Sequence, residues 1–269
     1  MSSTDPALLK PLAEISEAAG REILKIYETD FDVETKGDDS PLTAADTAAH
    51  HLICERLAAL TPDLPILSEE SSDIPFEQRR RWDTYWLVDP LDGTREFIKR
   101  NGEFTVNIAL IQDHRPVAGV VHVPALGFSY MGCQGVGAMR QEAGRAAHPI
   151  HVEVPARNPL RVVASRSHRN AETEAVLERM GAHELVPKGS SLKFCLVAEG
   201  GADFYPRLGP TSEWDTAAAQ AVVEAAGGQV CTLDMQPLEY NRKESLLNPW
   251  FVVFGDAAHD WAAYLPPAN

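Results

Sequence analysis

The chain has 269 residues, 44% of them hydrophobic and 23% charged, with a formal net charge of −15. That suffices for one large domain or two modest ones, and the composition is that of an ordinary folded protein rather than a disordered chain. Nonspecific nucleic-acid binding needs a basic face, which so acidic a balance argues against, and no apolar run reaches bilayer-spanning length.

A first helix is expected to open with Asp5 as cap and Pro6 in the first turn. Leu8, Leu12, Ile15, Ala19, Ile23 and Ile26 then recur at helical spacing. A polar stretch, 30–40, follows. Thr43 and Asp46 form a capping-box-like start to a second helix carrying Ala49, Leu52, Ile53, Leu57 and Leu60. Strands are expected at 65–68, 85–88, 105–111 and 117–123, then a hairpin from 128–131 and 136–140. The Pro-containing polar segment 149–159 marks a boundary, giving one part over 1–155 and a second over 156–269. Beyond it, strands at 161–164, 183–186, 202–205, 229–232 and 251–254 alternate with helices at 171–180, 192–198 and 214–226. Two helices plus a mostly antiparallel sheet, followed by this alternation, predict a mixed α/β (α+β) protein.

Cys54, Cys133, Cys195 and Cys231 are widely spaced, without CxxC or zinc spacing, and read as reduced thiols. The N-terminus lacks a basic segment followed by an apolar run, so no signal peptide is expected. The cytoplasm is the expected compartment; peripheral attachment to the cytoplasmic face of the inner membrane is left open. Nothing in the sequence calls for a stable protein partner.

Three acidic segments carry the chemistry. In Trp86-Leu87-Val88-Asp89-Pro90-Leu91-Asp92-Gly93-Thr94 a strand runs directly into an acidic turn. Pro-x-Asp-Gly favours a tight turn on its own account, yet a turn does not need the carboxylate of Asp89. Two carboxylates that close repel unless a cation separates them, and hard oxygen ligands suit Mg²⁺. Glu69 and Glu70 end another short strand, so neighbouring strands would bring their acids to one sheet edge. Asp215, in Glu213-Trp214-Asp215-Thr216-Ala217-Ala218, opens the long C-terminal helix. By itself it reads as a cap and dipole partner with Ser212.

Taken together, Ser68-Glu69-Glu70, Asp89-Pro90-Leu91-Asp92-Gly93-Thr94 and Trp214-Asp215-Thr216-Ala217-Ala218 resemble the signature of the inositol monophosphatase superfamily of Mg²⁺-dependent, lithium-sensitive phosphatases. Within it, residues 95–107, the run Gly189-Ser190-Ser191-Leu192-Lys193-Phe194 and the run Ala202-Asp203-Phe204-Tyr205-Pro206-Arg207 look like the branch that acts on 3'(2'),5'-bisphosphate nucleotides. An inositol phosphatase typically continues the Asp-Gly-Thr loop with Thr-Asn-Phe, where this chain has Arg95-Glu96-Phe97. The resemblance implies a five-layered αβαβα sandwich with the site between its halves. It implies Glu69, Asp89, Asp92 and Asp215 as side-chain metal ligands, the Leu91 carbonyl as another, and two Mg²⁺ ions with a third left open. Glu69 and Thr94 would orient the attacking water. Asp46 matches an acid that helps place it or holds a weak extra metal; locally the capping role fits equally well. Gly93 and Thr94 N–H groups would meet phosphate oxygens, with His168, Ser190, Ser191, Lys193 and Arg207 near a small bisphosphate nucleotide. The implied reaction turns 3'-phosphoadenosine 5'-phosphate into AMP and phosphate. A sugar-phosphate phosphatase on the same fold and a non-catalytic nucleotide sensor are the alternatives.

Overall fold

The computed structural model describes residues 6–29, 41–164 and 170–266. Asp5, the polar stretch 30–40 and His168 lie outside the described residues.

A 3-10 turn at Pro6–Leu8 leads into α1 (Leu9–Tyr27), which buries Leu9, Leu12, Ile15, Ala19 and Ile23. Helix α2 (Pro41–Leu60) buries Ala45, Ala49, Ile53 and Leu57, a single row at intervals of four. Because α2 starts at Pro41, Thr43 and Asp46 lie inside it, and the capping-box start expected there is not formed. Proline at a helix start suits its missing N–H.

Seven strands follow in spatial and chain order: β1 (Ile66–Ser68), β2 (Thr84–Asp92), β3 (Thr105–Gln112), β4 (Arg115–Val123), β5 (Phe128–Cys133), β6 (Gly137–Glu142) and β7 (His148–Ile150). Only the β1–β2 pair is parallel. Short helices α3 (Phe76–Arg79) and α4 (Thr94–Ile98) flank β2; neither they nor β7 were expected, being too short to show a period. Both faces of the sheet are covered, which explains why β2 and β3 lack polar alternation. Trp86, Val88, Val106, Ile108 and Leu110 pack toward α1 and α2. Tyr85, Leu87, Ala109 and Ile111 belong to a second core on the other face.

A five-stranded sheet occupies the second half: β8 (Leu160–Ala164), β9 (His183–Pro187), β10 (Phe204–Arg207), β11 (Gln229–Thr232) and β12 (Phe251–Phe254), in the order β11-β12-β10-β8-β9. Helix α5 (Ala171–Met180) covers its outer face, where Phe204 stacks on Trp261 at 4.8 Å. Helices α6 (Leu192–Ala198) and α7 (Glu213–Ala225) fill the space between the sheets. The layers are therefore α1/α2, large sheet, α6/α7, small sheet and α5, the expected αβαβα sandwich. The four cysteines are free, Cys54 partly and the others fully buried. Among the described residues no helix is long and apolar enough to cross a membrane.

Helix α7 lies unusually close to the large sheet. Gly119 and Gly132 are cross-strand partners on β4 and β5. A Cβ on Gly119 would fall 2.4 Å from the Ala218 carbonyl oxygen; on Gly132 it would fall 2.6 Å from Val222 Cα. Both obstacles are backbone. Gly132→Ala is expected to destabilise the protein by about 1–3 kcal/mol through overpacking, measured by urea unfolding.

His122 on β4 is buried against α1, with Nδ1 2.9 Å from Ser129 Oγ. Burial lowers it from the ordinary 6.5 to about 4. The unfolded chain therefore takes up this proton first as pH falls. The stability associated with neutral His122 is present above pH 6.5 and lost as pH falls toward 4. The expected loss is about 3 kcal/mol, and a His122→Gln variant should show a shallower fall in urea stability over that window.

Candidate active site

The parallel register of β1 and β2 pairs Ser68 with Val88, so the residue that follows β1, Glu69, falls beside Asp89 while β2 continues. Glu69 and Glu70 lie in a 3-10 turn just past β1. Strand β2 carries a bulge: Asp89 faces Asn107 and Asp92 faces Thr105, so Pro90 and Leu91 have no register partner of their own on β3. Gly93, at φ 92, then turns the chain in the left-handed region, and Thr94 begins α4 at the surface. A Cβ on Gly93 would meet Ser190 Cβ at 3.1 Å.

Asp215 comes from the other half. Its Oδ2 accepts the Ser212 N–H at 2.9 Å, so the capping role expected from sequence is present. The start of α7 is fixed further by Glu213, which accepts the Asn241 N–H through both oxygens at 3.0 and 2.9 Å. Arg79 holds Asn241 in turn, donating to Oδ1 at 2.6 Å.

The acids converge electrostatically. Burial, then the charges of Asp92, Glu69, Asp215 and Asp46, hold the Asp89 carboxyl well above the usual range. Asp46 is pushed up to about 8 by burial, then by Glu70 and Glu69. Asp215 rises to about 7 through burial and Asp92, against the pull of the Ser212 N–H. Glu69 rises to about 6 through loss of solvent around its carboxylate, then Glu70 and Asp92, although much of the residue is open to solvent. Asp92 is raised by burial and pulled back by Lys193 and the Ser191 N–H. Arg207 lowers both Asp92 and Asp215, so both cations act on the cluster.

Backbone N–H groups hold these side chains: Asp89 Oδ1 accepts from Leu91 at 3.0 Å and Asp92 Oδ2 from Ser191 at 2.6 Å. Asp46 Oδ1 and Arg207 Nε are buried without a hydrogen-bond partner. Among the described residues no three His, Cys, Asp or Glu side chains form a ready-made metal shell. Mg²⁺ keeps several waters and uses only one or two carboxylates directly, so an open arrangement of hard oxygen donors around an orphaned Asp46 oxygen fits it.

Asp46, Glu69, Asp89, Asp92, Ser190, Ser191, Lys193, Arg207 and Asp215 are thus brought together, with Leu91, Gly93 and Thr94 in the loop between them. Lys193 Nζ donates to the Ser190 carbonyl at 2.9 Å. Sequence reasoning assigned no role to Thr105, Asn107 or Glu103, which hold the 188–191 segment. Thr105 Oγ1 lies 2.8 Å from Ser191 Oγ, and that hydroxyl donates to Asn107 Oδ1 at 3.0 Å. All three stand in the 95–107 run, and the alternation of Thr105 and Asn107 at the start of β3 was the available signal for those two.

The chain is similar to known proteins in sequence and fold. Residues 7–262 match the model of the inositol monophosphatase family. The 3'(2'),5'-bisphosphate nucleotidase CysQ of Escherichia coli strain K12 is 51% identical over 249 residues, covering 91% of this chain and 99% of that protein. The CysQ of Haemophilus influenzae is 37% identical, covering 97% of each chain. The crystal structure of CysQ from Bacteroides thetaiotaomicron superposes with a TM-score of 0.85 at 44% identity, over 93% of this chain and 97% of that one. An inositol monophosphatase from Zymomonas mobilis, 23% identical with a TM-score of 0.78, shares the fold. With acids from three segments drawn together on this sandwich and matches along nearly its whole length, the chain belongs to the inositol monophosphatase family.

Proposed function

We propose that this chain is a Mg²⁺-dependent 3'(2'),5'-bisphosphate nucleotidase, removing the 3'-phosphate of 3'-phosphoadenosine 5'-phosphate to give AMP and phosphate and so recycling a nucleotide of sulfur assimilation. The observation that carries this is the meeting of carboxylates from both halves beside two cations, Lys193 and Arg207. The names and coverage of the CysQ relatives support the substrate class. A pure nucleotide sensor has no use for so many mutually repelling acids.

Glu69, Asp89, Asp92 and Asp215, with the Leu91 carbonyl, would hold two Mg²⁺ ions, with a weaker third near Asp46. Bound Mg²⁺ supplies neutralisation of phosphoryl charge and a lowered pKa for water. Glu69 and Thr94 orient the attacking water, and Asp46 accepts its proton. The water oxygen bonds to phosphorus as the bond to O3' breaks; the leaving O3' takes a proton from solvent water, and Asp46 returns its proton to solvent. Gly93 and Thr94 N–H groups donate to phosphate oxygens; a side chain on Gly93 would crowd Ser190 and the backbone at 103–104. Lys193 and Arg207 neutralise the second phosphate. Ser190, Ser191 and His168 complete the nucleotide contacts. We place the division of the chain at 155/156, which leaves one sheet in each part and the site between them.

Purified protein given 3'-phosphoadenosine 5'-phosphate or inositol 1-phosphate, each with Mg²⁺ or chelator, tests this through phosphate release. The nucleotide should be preferred and chelator should abolish release; preference for the inositol ester would overturn the substrate, and tight binding without turnover would leave a sensor. Asp92→Asn keeps an acceptor for the Ser191 N–H, so the variant should fold while turnover drops about 100-fold or more. Near-normal activity in that variant would count against the metal role. Lithium should inhibit in a titration against Mg²⁺.

A further inference from the structure

Segment 188–191 reaches from the second half to the rim of the acid cluster, where two carboxylates accept its backbone N–H groups, alongside the contacts of the Ser191 hydroxyl with Thr105 and Asn107. One is Asp92, through the Ser191 N–H. The other is Glu103, which the mechanism does not use. Glu103 Oε2 accepts the Gly189 N–H at 2.8 Å, and its Oε1 stands 3.3 Å from Lys188 Nζ. The Glu103 side chain is only 12% exposed and that of Lys188 26%, so solvent screens this pair less than a surface one.

The segment is tightly determined between these points. A Cβ on Gly189 would lie 2.7 Å from Glu96 Cγ and 3.1 Å from Glu103 Oε2, so both side chains would have to shift to admit one. Ser190 sits at φ 42, a left-handed conformation that a non-glycine residue keeps only when its surroundings impose it. Its carbonyl is held by Lys193 and its neighbour's hydroxyl by Thr105 and Asn107. Releasing Gly189 would let Ser190 relax, and substrate binding would then have to reorder the segment.

We propose that Glu103 is a positioning residue that latches segment 188–191 against the catalytic loop, and so sets affinity for the non-reacting part of the nucleotide without touching it. This rests on the bisphosphate-nucleotidase reading above. Asp92 keeps its own bond to Ser191 when Glu103 is removed, so the effect falls on KM rather than on kcat.

The test pairs steady-state kinetics on 3'-phosphoadenosine 5'-phosphate with hydrogen exchange of residues 186–194 in the substrate-free protein. Glu103→Ala should raise KM about tenfold with kcat within about threefold, and speed exchange of the segment about tenfold. Glu103→Gln keeps an acceptor for the Gly189 N–H and should recover most of both. Lys188→Met, a milder change on the outer side of the latch, should raise KM by about threefold. An unchanged KM, a fall in kcat alone, or exchange in 186–194 no faster than in the parent protein would each overturn the latch. Exchange needs no turnover. A parent protein inactive on the nucleotide would therefore sink the functional reading, while exchange would still decide whether Glu103 holds the segment.

Discussion

Helix α7 rests on bare backbone, and the placing of the site follows from that contact. Gly119 and Gly132 remove two side chains from neighbouring strands at one register position, and small residues on the helix, Ala218 and Ala221, take the space. A helix at ordinary distance from a sheet rides on interleaved side chains; this one is seated on the ladder itself. The same helix contributes Ala217, Val222 and Val223 to the core between the sheets. Its first turn is therefore rigidly set relative to β2, and Asp215 appears next to acids more than a hundred positions earlier in the chain.

The second constraint is the repulsion that this convergence creates. Five carboxyl groups share a partly dehydrated space, and each of Asp46, Glu69, Asp89, Asp92 and Asp215 prefers its proton more than a surface acid would. The fold tolerates this because backbone N–H groups, Lys193 and Arg207 offset part of the charge. Local stability is given up where chemistry is to be done, a conflict typical of functional sites. A divalent cation is the simplest species that resolves it.

Much of this was legible in the sequence, because β-branched runs mark strands and rows of apolar residues mark helices. Strands β11 and β12 and helix α5 fall where their residue pattern puts them. The acidic segments were visible as motifs, but no one of them implies the others; their joint meaning came from the resemblance. Asp46 shows the limit of local patterns. Thr43 and Asp46 have capping spacing, yet Pro41 is the real opening of α2, and Asp46 turns out to be one of the clustered acids. Helices α3 and α4 are single turns, too short for periodicity, and β7 is a three-residue edge containing Pro149. The Glu103–Gly189 contact spans 86 positions, and nothing in either neighbourhood encodes it.

The bulge between Asp89 and Asp92 also governs parity. In a regular strand, residues three apart lie on opposite faces. Here their partners on β3, Asn107 and Thr105, are two apart and share a face, so the surplus residue on β2 returns the second acid to the side of the first. The stretch is therefore more constrained in length than in composition. Exchanging Pro90 or Leu91 for another residue leaves the counting intact, whereas one residue more between the two aspartates would send Asp92 through to the far side of the sheet.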